Sequence, residues 1–311
     1  MDPTRLTDLA LDGDRRALAR LLRVVEDRLE GWEGVLATAW EPTSKAQLVG
    51  ITGAPGSGKS TLTNSLISTW RAVDRRVGVI SVDPSSPFSG GALLGDRIRM
   101  QDHVSDPDVF VRSMSSRGRL GGVADATAGM ATLLAAAGFD PVVVETVGVG
   151  QAEVDVVDHA DSVVVVVTPG WGDSVQTDKA GVLEIGDIFV INKADRPELE
   201  DTRRWLTTML EMGPDRDWDP PVIDTVAIED RGTEALVDAL DRHHRYLNSS
   251  GEGRRRLRRR AAAYLEWAFA AGLRSRLERP VLDGLVEQVA AGLLDPWTAA
   301  ASLLNDHQSQ G

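Results

Sequence analysis

"AQLVGITGAPGSGKST", residues 46–61, decides how the chain reads. It opens with an apolar run of strand length. Residues 53–60 then fit G-x-x-x-x-G-K-[ST], and a helical pattern follows. The glycines let the backbone curl so that several N–H groups converge on phosphate oxygens, and the next helix adds its dipole. Lys59 is expected to reach the β and γ phosphates of a nucleotide, and Ser60 to ligate Mg²⁺. The candidate phosphate-binding residues are therefore Gly53, Pro55, Gly56, Ser57, Gly58, Lys59, Ser60 and Thr61. A chance glycine-rich turn is the plain alternative. The position between a strand and a helix argues against it.

Working outward, further apolar runs follow at 77–82 (VGVISV), 109–112 (VFVR), 141–145 (PVVVE), 162–167 (SVVVVV), 187–192 (DIFVIN) and 220–227 (PPVIDTVA). They lack polar alternation, so they fit strands buried on both faces. The expected class is α/β: a P-loop core with a mostly parallel sheet flanked by helices, plus N- and C-terminal helical extensions. Residues 46–248 are read as that core. Residues 1–45 read as helical, with Asp14 capping a helix that carries Leu18, Leu21, Leu22, Val25 and Leu29 on one face. Residues 249–311 turn helical again after a Gly/Ser linker, "NSSGEG". Leu257, Ala261, Tyr264 and Ala268 share one face there, and a second helix presents Leu282, Leu285, Val286 and Val289. Asp295 caps a third, with Pro296 at its first position.

Composition narrows the function. The chain has 311 residues, a net charge of −13 and no cysteine. A general nucleic-acid binder is usually basic, so that class drops out. Without cysteine there is neither a disulfide framework nor a thiolate metal site, which suits a cytoplasmic protein. The acidic N-terminus does not read as a signal peptide, and the longest apolar run is too short to span a bilayer. No membrane partner is expected. The histidines do not cluster at metal-ligand spacing, and His243 and His244 are expected to be exposed on a charged helix. "RRRLRRR", 254–260, reads as a solvated face or a set of ion-pair partners rather than an acidic-partner patch.

Two more stretches bear on a nucleotide. "VDPSS" (82–86) puts Asp83 at the C-terminal end of a strand, where ligands of open α/β sheets gather. Asp83, Asp96 and Glu145 are the candidates to hold Mg²⁺ or its waters, since Mg²⁺ takes few protein carboxylates. A turn at Asp83-Pro84 and a helix cap at Asp96 are the structural alternatives. In "ETVGVGQ" (145–151) Gly148 could offer its N–H to a γ phosphate. Val149 stands where a small signalling GTPase has a water-orienting Gln, and Val has no polar group to orient a water.

"NKAD", 192–195, follows the strand "DIFVI" and reads as a base site. Guanine presents two adjacent donors that a carboxylate accepts together, whereas adenine would leave that carboxylate unpaired. Asp195 is thus the guanine reader. Asn192 bonds the base and braces the loops, and the Lys193 stem lies over the ring. "TVAIEDRG", 225–232, is the expected second base loop, with the Ala227 N–H near the guanine oxygen. The reading favours GTP and GDP over adenine nucleotides.

With these motifs placed, the chain resembles the MeaB/ArgK family of P-loop GTPases. The matching stretches are "GITGAPGSGKST", "VDPSSPFSGGALLGDRIRM", "RGRLGG", "ETVGVGQAE", "KAGVLEIGDIFVINKADRP" and "DPWTAA". The resemblance implies a GTPase chaperone of an adenosylcobalamin-dependent acyl-CoA mutase, such as methylmalonyl-CoA mutase, that gates cofactor loading or protects the mutase. It implies a GTPase core whose C-terminal helices form a homodimer. Lys59 and Ser60 match the family's phosphate-loop residues, Asp83, Asp96 and Glu145 its Mg²⁺ and switch acids, and Asn192, Lys193 and Asp195 its base readers. Residues 176–184 match an extra switch, within which Lys179 matches a lysine implicated in activation. Ala180 stands where many relatives carry a second Lys, and Gly186, where Ala is usual, is expected to loosen that helix. Two rivals accompany the reading. One is an arginine/ornithine transport kinase, for which the sequence supplies no substrate-phosphorylating site. The other is a metallochaperone-type GTPase, whose relatives rely on Cys sites this chain lacks.

Overall fold

A computed structural model of the chain describes residues 3–40, 46–83, 103, 105–115, 122–146, 160–170, 180–213, 216–276 and 279–308. Among the described residues seven strands form one sheet: β1 (Leu48–Gly53), β2 (Val77–Asp83), β3 (Val109–Ser115), β4 (Val142–Glu145), β5 (Ser162–Val167), β6 (Ile188–Asn192) and β7 (Val222–Thr225). Each falls on an apolar run read from the sequence. The spatial order is β3-β2-β4-β1-β5-β6-β7, and every pair is parallel. From β1 the chain builds outward through β2 and β3, returns to β4 beside β1, and crosses to lay β5, β6 and β7 on the far side. Ligands of such sheets lie at the carboxyl ends of the strands, near the reversal.

Strand β5 shows why the runs are continuous. Val164 and Val166 enter one core with Ile51, Leu62, Leu66 and Trp70, while Val163, Val165 and Val167 enter another with Phe189 and Leu206. Successive side chains alternate faces, and both faces are covered. The first face is covered by α4 (Lys59–Arg71) and a later helix over Thr233–Ser250.

The chain opens with α1 (Pro3–Leu11), α2 (Arg15–Glu26) and α3 (Trp32–Ala39). Asp14 caps α2 as expected: its carboxylate accepts the N–H groups of Arg16 (2.8 Å) and Ala17 (3.0 Å), which lowers its pKa. Leu18, Leu21, Leu22 and Val25 are buried. Leu29 is not part of that face. The helix ends at Glu26, Arg28 takes a positive φ, and Leu29 is exposed. These helices share a core with the sheet residues Ile80, Phe110 and Val144 and with α5 (Gly122–Ala136). Arg15 anchors them to the sheet edge, donating to the carbonyls of Asp106 (3.2 Å) and Val109 (2.7 Å).

The remaining helices among the described residues are α6 (Ala180–Ile185), α7 (Leu199–Glu211), α8 (Thr233–Ser250), α9 (Glu252–Arg276), α10 (Arg279–Ala290) and α11 (Pro296–Gln308). The chain forms two compact units, Met1–Leu257 and Arg258–Gly311. The expected "NSSGEG" linker is helical apart from Gly251, which ends α8 at φ 80°. Polar residues that read as a loop are here the last turn of one helix and the first of the next. In the second unit Asp295 caps α11, accepting the N–H groups of Trp297 (2.9 Å) and Thr298 (3.0 Å). Among the described residues no helix is long and apolar enough to cross a membrane.

His243 departs from expectation. It is fully buried on α8, not exposed on a charged face. Its Nδ1 lies 2.8 Å from the Ser162 hydroxyl, and its ring packs on Trp218 and Tyr246. The neighbouring charges hid an inward-facing position in the sequence.

Candidate functional site

The phosphate loop joins β1 to α4, and its glycines answer to specific contacts. Gly53 has φ 141°, and a Cβ there would lie 2.1 Å from the Val166 carbonyl oxygen. Gly58 has φ 91°, and its Cβ would lie 2.3 Å from Asn192 Nδ2. Only a residue without a side chain fits either place. Pro55 and Gly56 are exposed at the tip, and Thr61 lies in the first turn of α4. The Ser57 hydroxyl is buried in the loop with no hydrogen-bond partner among the described residues. A buried donor of that kind suits an incoming phosphate oxygen.

The Lys59 ammonium donates to the carbonyls of Gly53 (2.7 Å) and Ala54 (3.2 Å), folded back over the loop. The Ser60 hydroxyl donates to Glu145 Oε1 at 2.6 Å, and both residues are buried. Sheet register puts Glu145 there: it pairs with Ile51 of β1 and Ser81 of β2. The Thr146 N–H extends the ladder onto the Ile51 carbonyl (3.0 Å). A hydroxyl beside a carboxylate at the carboxyl end of β1 is an oxygen donor set that fits Mg²⁺, which prefers oxygen and keeps several waters. Among the described residues, no group of three or more His, Cys, Asp or Glu could hold a metal by itself. Asp83 ends β2, in register with Ser115. Its side chain lies outside the described residues, as do Asp96, Gly148, Val149 and Lys179.

At the end of β6, Asn192 joins two loops. Its Nδ2 donates to the Ser57 carbonyl (2.9 Å) in the phosphate loop. Its Oδ1 accepts the Thr225 hydroxyl (3.1 Å) and the Ala227 N–H (3.1 Å). Asn192 thus braces the loops, and the Ala227 N–H is engaged by it. Lys193 adopts φ 62° and donates to the Gly56 carbonyl at 2.7 Å, so its stem crosses the phosphate loop. Asp195 is exposed on the following turn, with its carboxylate presented to solvent. The second base loop is a single 3₁₀ turn (Ala227–Glu229), closed by an antiparallel bridge between Val226 and Arg231. Phosphate loop, Ser60–Glu145 pair and base loop therefore gather at the carboxyl ends of the strands.

The sequence model of one family, described as "Methylmalonyl Co-A mutase-associated GTPase MeaB", matches residues 18–279. The chain belongs to the MeaB family of GTPases. A Pyrococcus abyssi protein named as a GTPase is 45% identical over 302 residues, covering 94% of this chain and 93% of its own. The "Fused isobutyryl-CoA mutase" of Cupriavidus metallidurans is 38% identical over 252 residues, which cover 76% of this chain and 22% of that larger one. The crystal structure of a "LAO/AO transport system kinase" has a TM-score of 0.71 at 23% identity, covering 98% of this chain and 97% of its own, and shares the fold. This MeaB-family chain is thus a P-loop protein built for a guanine nucleotide and related to mutase-associated chaperones.

The sequence reading missed two sets of residues. Thr225, at the end of β7, holds Asn192 through its hydroxyl; its place beside "VA" in the quoted loop was the only signal. The second set sits at the amino ends of β5 and β6, away from the phosphate loop. Asp187 accepts from both terminal nitrogens of Arg256 (2.7 and 2.8 Å) and from the Val163 N–H (2.9 Å). Arg216 donates to the carbonyls of Leu183, Glu184 and Gly186, each at 3.1 Å, closing the C-terminus of α6. Gly186 lies just past α6 and does not loosen it from within. A Cβ there would lie 2.5 Å from the Phe189 ring, so the glycine admits that ring. Of the basic run, Arg255 and Arg256 pair with Glu252, the ion-pair role expected of it.

Proposed function

We propose that this MeaB-family chain hydrolyses GTP to gate cofactor loading of, and to protect or reactivate, an adenosylcobalamin-dependent acyl-CoA mutase such as methylmalonyl-CoA mutase. The observation that carries this is the fused relative, in which a region like this chain lies within a polypeptide named as an acyl-CoA mutase. The family description names a mutase of the same class. The working protein is a cytoplasmic homodimer through its C-terminal helices.

The residues divide the work as follows. Backbone N–H groups of the loop and the Ser57 hydroxyl receive the phosphates. Lys59 leaves its carbonyls for the β and γ oxygens. Ser60 and Glu145, joined by Asp83 and Asp96, would hold Mg²⁺, which neutralises charge between the β and γ phosphates when bound. Asp195 accepts the two guanine donors, Lys193 covers the ring, and the Ala227 N–H turns from Asn192 to the guanine oxygen. Water attacks the γ phosphorus, the bond to the β–γ bridging oxygen breaks, and GDP and phosphate leave. Gly148 steadies the γ phosphate. Val149 leaves the water unoriented, so turnover is slow alone, and the mutase completes the site by engaging residues 172–187, Lys179 among them.

The test is GTP turnover by the purified chain, alone and with the host's own adenosylcobalamin-dependent acyl-CoA mutase. Slow basal turnover that rises strongly with the mutase is expected. Fast basal turnover indifferent to the mutase would overturn the proposal. Phosphate transfer to arginine or ornithine in the same assay would favour the kinase reading instead.

A further inference from the structure

The base loop has a second tether, distinct from Asn192. After the 3₁₀ turn Ala227–Glu229, Asp230 adopts φ 53°, a conformation Asp tolerates better than most side chains. Its carboxylate accepts a hydrogen bond from the hydroxyl of Ser65 (2.5 Å), a buried residue of α4. Its carbonyl accepts the Thr233 hydroxyl (2.9 Å), and Thr233 in turn accepts the Thr69 hydroxyl (3.2 Å), again from α4. The loop is thus fixed at its entrance to the phosphate loop through Asn192, and at its exit to the helix that the phosphate loop begins. Gly232 closes the exit with φ 84°, and a Cβ there would lie 2.1 Å from the Asp224 carbonyl oxygen.

We infer that Ser65 and Asp230 are positioning residues for guanine recognition: they set the distance between base loop and phosphate loop without touching the nucleotide. The inference rests on the guanine reading of the site. Its chemistry is a span requirement. A nucleoside diphosphate has fixed dimensions, so a base loop free to shift loses guanine contacts while phosphate contacts persist. A hydrogen bond to a carboxylate from a buried hydroxyl is strong enough to matter for such a span. Asp230 is otherwise exposed, and the described contact of its carboxylate is the Ser65 hydroxyl.

The experiment titrates the full-length chain with GDP and with inorganic pyrophosphate, which fills the phosphate loop but has no base. Ser65→Ala and Asp230→Ala are expected to weaken GDP about tenfold while pyrophosphate binds as before. GTPase KM should rise with kcat nearly unchanged. Asp230→Asn, which keeps an oxygen acceptor and the positive φ, should retain most of the GDP affinity. Equal weakening of both ligands would overturn the inference in favour of general damage to α4, and unchanged GDP binding would overturn it outright. A wild-type chain that binds pyrophosphate but no guanine nucleotide would instead fail the base reading, and the tether with it.

Discussion

Arg256 grips Asp187 with both terminal nitrogens, at 2.7 and 2.8 Å, and the pair joins the first turns of α9 to the start of β6. Asp187 is nearly buried, and burial alone would make its charge costly. The guanidinium, the Val163 N–H and the fork geometry together satisfy it. Trp218 covers the spot, donating its indole N–H to the Asp187 carbonyl at 2.8 Å.

Removing one partner of such a pair strands the other. Arg256→Ala should cost about 3 kcal/mol or more, read as a fall in the denaturant midpoint. Arg256→Lys should recover only part of it, because an ammonium cannot match both carboxylate oxygens. A loss below about 1 kcal/mol, as for an exposed pair, would contradict this account.

His243 next to that pair makes stability depend on pH. Burial, helped by Arg256 and His244 and opposed by Asp187 and Asp161, pushes its pKa down to about 4. Its unfolded value is about 6.5, so between the two the unfolded chain binds more protons and stability falls as pH falls. The contribution is complete above pH 6.5 and gone below about 4, amounting to roughly 3 kcal/mol. Denaturant titrations at pH 7 and pH 5 should show this slope in the wild type and a shallower one in His243→Asn. Equal slopes would remove His243 as the cause.

How far the sequence revealed these features depends on what makes a residue legible. Strand β5 and the phosphate loop were readable because their signals are local: an unbroken Val run, and glycines whose φ only glycine adopts freely. Asp14 and Asp295 were readable as caps for the same reason. His243 was not, since its burial depends on Trp218 and Ser162, far away in sequence. Nor was the Asp187–Arg256 pair: Asp187 heads a run that reads as a buried strand, and Arg256 lies in a basic run whose partners the sequence does not name. The Ser60–Glu145 contact lies between: each residue was singled out by its motif, but only the parallel register of β1 and β4 brings them together.

The glycines of the phosphate loop separate conformation from contact. Gly56 has φ 77° and open space around a Cβ, so Gly56→Ala meets only backbone strain of about 1 to 2 kcal/mol. Gly58 has φ 91° and would also strike the Asn192 amide, which holds both the Ser57 carbonyl and the base loop. Gly58→Ala should therefore abolish GDP binding, while Gly56→Ala weakens it by no more than about thirtyfold. Calorimetric titration of the two variants checks this. Equal effects would mean that strain alone matters and that the Asn192 approach does not.

The last prediction concerns the proposed switch. Two described points frame it: just before it the Gly170 N–H donates to the Thr202 hydroxyl at 3.0 Å, and within its last residues Arg216 closes the end of α6. Lys179→Ala should then bind GTP and hydrolyse it alone at the wild-type rate, but lose the stimulation that the mutase brings. Arg216→Ala, which frees one end, should reduce the stimulation in part and leave GTP affinity intact. Turnover measured with and without the mutase decides it. Full stimulation in Lys179→Ala would place the water-orienting group elsewhere, either on the mutase itself or near Gly148.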